Sequence, residues 1–427
     1  MQMSGRFDLE EAKALDRADS LAAFRSEFLF PTTDGAADVY FVGNSLGLQP
    51  KSTAGDLASV LEQWHSSAVH GHFDGSPAWM DLPDEVSAAM APLVGAHPSE
   101  VVVMNTLTVN LHLMMASFYQ PTTARHKVLL EEHAFPSDYQ AVASHVALRG
   151  YTAETALETV RAEEGSFLIS TERVLASIEE HRDSLALILL PGVQYYTGQV
   201  FDMASIAAKA RGYEIPIGLD LAHAVGNIPL DLHEWGVDFA CWCTYKYLNA
   251  GPGALGGCFI HSRHAANSQL PRLAGWWGHQ RETRFEMKPE FIPTLSAQGW
   301  QLSNPPILAL APILSALRLC ARAGGIDRLR EKSLRLTAFL RAGLEHRLGN
   351  KVQVITPNAP EQSGCQLSIQ IQAGEPGKVV FDRLSKRSVH VDWREPDVIR
   401  AAPVPLYNSF EDVHRFVETL ASCVGQL

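Results

Sequence analysis

Lys246 ends the mostly apolar run Asp238-Phe-Ala-Cys-Trp-Cys-Thr-Tyr-Lys246, and Asp220 and His223 stand a short way upstream. A lysine taken at random is a solvated surface charge. This one follows a strand-like segment and is flanked by Tyr245 and Tyr247. Partial burial lowers a lysine pKa and turns its amine into a nucleophile for carbonyl groups. An aspartate after a neighbouring strand can pair with a protonated pyridine nitrogen and keep it cationic. Together they are the equipment of pyridoxal phosphate (PLP) chemistry, in which the lysine forms a Schiff base and the ring acts as an electron sink. His223 then has a place beside the cofactor's phenolic oxygen. The plainer readings are a helix-capping aspartate and a half-buried, satisfied histidine.

These residues need a frame, and the strand pattern supplies one. Residues 51–300 alternate short apolar runs with helical stretches, which predicts βαβ units and a mostly parallel sheet. Val101–Met104 runs into Asn105–Thr108, and Lys127–Leu130 into His133–Asp138. Leu185–Leu190 runs into Pro191, Ile215–Leu219 into Asp220, and Val237–Cys243 into Thr244–Lys246. Ligands of open parallel sheets bind at the carboxyl ends of the strands, so these ends predict one pocket. Thr108 precedes the helical stretch Val109–Phe118, where free N–H groups suit a phosphate; a plain N-cap threonine is the alternative.

Residues 1–50 read as an N-terminal arm with a helical stretch around Asp8–Phe28. Residues 307–348 are strongly helical, with a break at Gly324-Gly325. Short strands follow at Val352–Thr356, Gln366–Gln372 and Val398–Ala401, then a last helix opened by Ser409-Phe-Glu-Asp412, a capping-box pattern. We expect an arm over 1–50 packing with the small domain, a large domain over 51–310 and a small C-terminal α/β domain over 311–427. Arg400, at the end of a small-domain strand, is a candidate for bidentate grip on an α-carboxylate. The loop Gly275-Trp-Trp-Gly-His279 predicts an aromatic wall or a subunit contact.

Composition narrows the classes. The chain has 427 residues, 46% of them hydrophobic and 19% charged, which is globular usage. Its formal net charge of −12, without a basic block, argues against nucleic acid or an anionic membrane as partner. No apolar stretch nears the ~20 residues of a membrane span, and Met1–Glu10 lacks a signal pattern. The six cysteines are scattered in apolar runs, as expected of reduced thiols in a cytoplasmic protein. Cys241 and Cys243 share a strand face, but no Cys/His cluster accompanies them, so no metal is expected. A nicotinamide dehydrogenase lacks its Gly-x-Gly-x-x-Gly here, and a PLP-binding regulator lacks a basic DNA-reading element. A cysteine desulfurase would need a reactive thiol on a mobile loop; Cys365 is the candidate, although Gly364-Cys-Gln-Leu-Ser reads as a strand entry.

Taken together, several segments resemble the kynureninase family. They are Tyr40–Pro50 (YFVGNSLGLQP), Asn105–His112 (NTLTVNLH), Phe135–Asp138 (FPSD), Asp220–Asn227 (DLAHAVGN), Asp238–Asn249 (DFACWCTYKYLN), Gly275–His279 (GWWGH), Leu302–Pro306 (LSNPP) and Ile399–Phe410 (IRAAPVPLYNSF). They span nearly the whole chain. The resemblance implies the aspartate-aminotransferase-like α/β fold (fold type I): a large domain with a mainly parallel sheet flanked by helices, plus a smaller C-terminal α/β domain.

It also implies PLP as cofactor, a homodimer, and hydrolytic Cβ–Cγ cleavage of kynurenine to anthranilate and alanine. Lys246 is similar to the Schiff-base lysine that also moves the Cα proton, and Asp220 to the pyridinium partner. Phe135 would stack on the ring, with Pro136, Ser137 and Asp138 along its edge. Leu107, Thr108 and Tyr245 would serve the phosphate end, Tyr245 also as a proton donor, and His223 would sit beside the ring. Trp276 and Asn304 match positions reaching the cofactor from the neighbouring subunit. Asn44, Ser45 and Arg400 match substrate-binding positions, Arg400 for the carboxylate. His72, Ser303 and Asn304 resemble members that favour 3-hydroxykynurenine. Pro191 departs from the pattern, since relatives often carry a hydroxyl there.

Overall fold

The computed structural model describes residues 7–267 and 269–425. Residues 1–6, the head of the expected arm and of the stretch read for an export signal, lie outside the described residues, as do 268, 426 and 427.

The apolar runs form strands β1 (Val101–Met104), β2 (Lys127–Glu131), β3 (Leu157–Val160), β4 (Leu185–Pro191), β5 (Ile217–Asp220), β6 (Phe239–Cys243) and β7 (Gly256–Ile260). They make one sheet in the order β1-β7-β6-β5-β4-β2-β3. Paired strands run parallel except at β7, which is antiparallel to both β6 and β1. Side chains alternate between faces along each strand. Val101, Val103, Leu129, Ile188, Leu190, Leu219 and Trp242 therefore enter one core, and Val102, Met104, Val128, Leu130, Leu187, Leu189 and Phe239 the other. Gly218 pairs with Phe239 across β5 and β6. A Cβ at Gly218 would stand 2.0 Å from the Phe239 ring, so only glycine fits beside that aromatic. Helix α1 (Leu82–Met90) covers the first face; α2 (Leu107–Phe118) and α3 (Pro136–Leu148) cover the second.

A second sheet holds β8 (Val352–Val354), β9 (Leu367–Ile371), β10 (Asp392–Arg394) and β11 (Val398–Ala401), ordered β8-β9-β11-β10 and antiparallel throughout. Helices α5 (Gly325–Leu348) and α6 (Phe410–Val424) pack on it; Ser409 caps α6 with a reciprocal bond to Asp412. The arm contributes Phe7, Val39 and Phe41 to this core, and Val39–Tyr40 pairs in parallel with Val389–His390.

The first core reaches past residue 310. Helix α4 (Ile307–Arg322) buries Leu310, Ile313, Leu314 and Leu317 in the first core, against α1. Leu329 of α5 still belongs there, whereas Leu336, Phe339, Leu340, Leu344 and Leu348 of the same helix belong to the second core.

Candidate active site

Carboxyl ends of β1, β2, β4, β5 and β6 converge on one cavity of about 330 Å³. Asn44, Ser45, Leu107, Thr108, Phe135, Ser137, Asp138, Pro191, Asp220, His223, Tyr245 and Lys246 all line it. Of the expected residues, Pro136 is at the wall's rim, exposed as the first residue of α3.

Lys246 is held by its surroundings. The Thr244 hydroxyl donates to the Leu255 carbonyl at 2.6 Å, and the Asn249 amide donates to the Leu48 carbonyl at 3.0 Å. Across the cavity, the turn after β5 is fixed by the Ala222 N–H donating to Asp220 Oδ1 at 2.7 Å. It is closed by Asn227, whose side chain donates to the His223 carbonyl and accepts from the Cys365 amide at 2.9 Å. Lys246 Nζ then lies 3.0 Å from His223 Nε2. Burial, with Lys246 and the guanidiniums of Arg400 and Arg394 close by, pushes the His223 pKa well down. The imidazole is neutral, so its Nε2 can accept a hydrogen bond from Lys246 Nζ.

The phosphate end is built by α2. Its N-cap is Thr106, in extended conformation and making no side-chain cap, so Thr108 is the second helical residue and not the cap. Helix N-termini leave their first N–H groups without backbone partners, and Leu107 and Thr108, the first two helical residues, both line the cavity. Asn110 braces the entry: it donates to the Met104 carbonyl at 2.9 Å and accepts from Asn105 at 3.0 Å.

An acidic wall completes the site. Asp138, Asp220 and Glu131 all line the cavity and all are buried. Burial, next to Asp220 and Glu131, raises the Asp138 pKa well above the carboxylate range. Burial lifts Glu131 to about 8. The Asp138 Oδ1 atom has no hydrogen-bond partner. A buried carboxylate group of this kind calls for a cationic N–H donor. A protonated pyridine nitrogen on this wall and a phosphate at the α2 N-terminus satisfy both ends, so the residues present fit PLP.

Several expected residues lie elsewhere. Arg400 is fully buried behind the wall, donating to the Tyr195 carbonyl at 2.6 Å and paired with Asp392. His72, Trp276, Ser303 and Asn304 are not on the wall of their own chain's cavity. His72 lines a smaller surface cavity with Phe73, Arg281 and Phe285. Trp276 packs edge-on against Phe285, which meets Phe73. Ser303 and Asn304 are exposed.

The structure adds Glu131, Tyr195 and Arg394 to the wall. Glu131 and Tyr195 follow strands whose ends were already suspect, so the strand-end rule reaches them. Arg394 lies on β10, a short half-buried strand with no periodic signal.

Cys365 is buried outside the cavity, and burial drives its thiol up to about 12. It is no loop-borne thiolate. His97, Glu100 and His233 cluster elsewhere, but both Glu100 oxygens already accept hydrogen bonds, from Ser262, His97 and His233. Among the described residues no single helix is long and apolar enough to cross a membrane.

A mainly parallel sheet with a lysine and an aspartate facing each other across its carboxyl edge, plus a small α/β unit, defines the aspartate-aminotransferase-like fold of PLP enzymes. Solved structures agree. A cystine C-S lyase in complex with cysteine persulfide matches with a TM-score of 0.77 at 19% identity, covering 90% of this chain and 98% of that one. An apo cysteine desulfurase from Thermococcus onnurineus NA1 matches with a TM-score of 0.76 at 16% identity, covering 91% of this chain and 95% of that one. The model of the kynureninase C-terminal domain matches residues 329–420. Kynureninase of Xanthomonas axonopodis pv. citri (strain 306) is 53% identical over 408 residues, 95% of this chain and 96% of that protein. Kynureninase of Xanthomonas campestris pv. campestris (strain B100) is 52% identical over 417 residues, 97% of this chain and 98% of that protein. The chain belongs to the kynureninase family, PLP-dependent hydrolases of a carbon–carbon bond.

Proposed function

We propose that this chain hydrolyses L-kynurenine to anthranilate and L-alanine, and 3-hydroxy-L-kynurenine to 3-hydroxyanthranilate and L-alanine. The observation that carries the reading is the single cavity in which Lys246 meets neutral His223 beside the Asp138–Asp220 wall. Bound PLP supplies an electron sink conjugated to the amino acid's Cα and Cβ.

The chain's own residues do the rest. Lys246 Nζ holds the cofactor and afterwards moves the Cα proton. His223, being neutral, accepts from Nζ without competing for its charge. Asp220 holds the pyridine N–H and Asp138 accompanies it. The N-terminal amides of α2 at Leu107 and Thr108 hold the phosphate, and Phe135 covers the ring. Tyr245 lines the cavity next to Lys246, and burial raises its phenol pKa. A phenol kept protonated is a proton donor, and Tyr245 delivers its proton to Cβ after water adds to the γ-carbonyl and the Cβ–Cγ bond breaks. Pro191 stands where it gives shape but no hydroxyl.

The active form is a homodimer in the cytoplasm. Phe73, Phe285 and Trp276 are 62%, 54% and 41% exposed and touch in series beside His72. Such a face suits a second copy that receives His72, Trp276, Ser303 and Asn304 into its cavity. All six cysteines are unpaired, as in a reducing compartment.

The test is direct. Purified protein should bind PLP, carry it on Lys246 after borohydride reduction, and release anthranilate fluorescence from kynurenine. Protein that takes up no PLP, or loaded protein that releases no anthranilate, defeats the proposal.

A further inference from the structure

An amino-acid substrate brings a carboxylate, and the residue expected to receive it, Arg400, is enclosed. The antiparallel register pairs Asp392 on β10 with Arg400 on β11. Arg394 lies two residues along β10 from Asp392. Directly paired residues and residues two apart share a sheet face. Arg394, Asp392 and Arg400 therefore project together toward the large unit. Arg400 spends its guanidinium on Asp392 and on the Tyr195 carbonyl.

Arg394 differs in two respects. It forms part of the cavity wall, with Asn44, Ser45 and Lys246. Its Nη2 reaches Asp392 Oδ2 at 3.2 Å, and its Nε, like that of Arg400, is buried without a partner. Its side chain keeps 35% exposure, so it meets whatever enters from solvent. One aspartate cannot neutralise two arginines, and the remaining charge faces the cavity. Lys246 and Arg394 are the lysine and arginine side chains on the wall among the described residues, and Lys246 is assigned above to the cofactor.

We propose that Arg394 is a second carboxylate-binding residue: it grips the α-carboxylate of the entering amino acid, while Asp392 holds it beside Arg400. This rests on the function proposed above. An unused Nε and a guanidinium fork are what bidentate carboxylate binding needs.

The experiment titrates the holoenzyme with L-alanine and with L-alaninamide, which lacks the carboxylate, reading the absorbance of the bound cofactor. Arg394→Gln should raise the L-alanine Kd about tenfold or more, the value of one charge-assisted hydrogen bond. It should leave the L-alaninamide Kd within about twofold, and Arg394→Lys should recover part of the loss. In turnover the same variant should raise KM by a similar factor with kcat nearly unchanged. Equal effects on both ligands, or none on either, overturn the proposal. So does loss of folded holoenzyme in both Arg394→Gln and Arg394→Met, since the residue is then structural. A parent enzyme that hydrolyses no kynurenine, yet shows Arg394-dependent preference for L-alanine, would defeat the proposed reaction and leave this assignment standing.

Discussion

The Gly47 amide donates to the Tyr245 carbonyl at 2.8 Å, and a Cβ placed on Gly47 would stand 2.3 Å from the Lys246 carbonyl oxygen. The arm thus clamps the segment that carries Lys246 through Gly47, which is not itself on the cavity wall. Its neighbour there is backbone, which cannot rotate away. Gly47→Ala should push the lysine segment aside. Overpacking costs about 1–3 kcal/mol, and a displacement near 1 Å at reacting groups costs on the order of 10²-fold in rate. We expect kcat to fall at least about tenfold while thermal unfolding shifts only modestly. Unchanged kcat would show that the clamp is idle.

Asp220 is proposed above to hold the ring nitrogen, and its loss would then leave a charge without its partner in a buried wall. Removing one member of such a pair costs about 3–5 kcal/mol. Asp220→Ala should lower kcat on the order of 10²- to 10³-fold and weaken PLP retention, measured by equilibrium dialysis. Asp220→Glu should retain more of both.

Glu131 offers a pH test. Its folded pKa, raised to about 8, exceeds the unfolded value near 4.5. The folded state then binds more protons than the unfolded state between those values, so this group's contribution to stability falls as pH rises from about 4.5 to about 8. Glu131→Gln removes that penalty. The variant's melting temperature, relative to the parent, should rise by at least about 2 °C between pH 5 and pH 8, the size expected for ~1 kcal/mol in a large domain. A constant difference would contradict a protonated Glu131.

Asn304 is exposed, and its proposed place in a second copy's cavity makes it a test of substrate choice. A site built to bond a hydroxyl discriminates against its absence. Asn304→Ala should lower kcat/KM for 3-hydroxykynurenine about tenfold more than for kynurenine. Equal losses would remove Asn304 from the specificity argument.

Cys365 separates this reaction from the desulfurases that share its fold. The thiol is buried and held protonated. Cys365→Ala should leave kynurenine hydrolysis within about twofold, at a cost of roughly 1 kcal/mol in stability for the lost buried group. Collapse of activity would force a catalytic role on it.

Much of the site was legible because strand ends are periodic signals. The runs before Asp220 and Lys246 are apolar and bounded, so both residues could be placed from pattern alone. Thr108 was read near the helix start, yet Thr106 takes the cap and the helix begins at Leu107 rather than Val109. Strands β3 and β7 were not read. One is the four-residue edge strand Leu157-Glu-Thr-Val160, too short to show a period, and the other opens on Gly256-Gly257, with no side chains to show one. Arg400 lies inside β11, one residue before its end at Ala401, and which arginine lines the cavity depends on the β10–β11 register; β10 has three half-buried residues with no pattern to read.

The second core draws on Phe7, Val39 and Phe41 from the start of the chain and on Phe410 and Phe416 from its end. During synthesis these early aromatic residues leave the ribosome long before their partners exist. The seven-stranded sheet is complete in sequence by Ile260 and the α4 that joins its core by Arg322, both ahead of α6. Phe7, Val39 and Phe41 must wait until α6 has been translated. Newly made chains therefore pass through a stage in which the first core is mostly present and the second still lacks the helix that fills it.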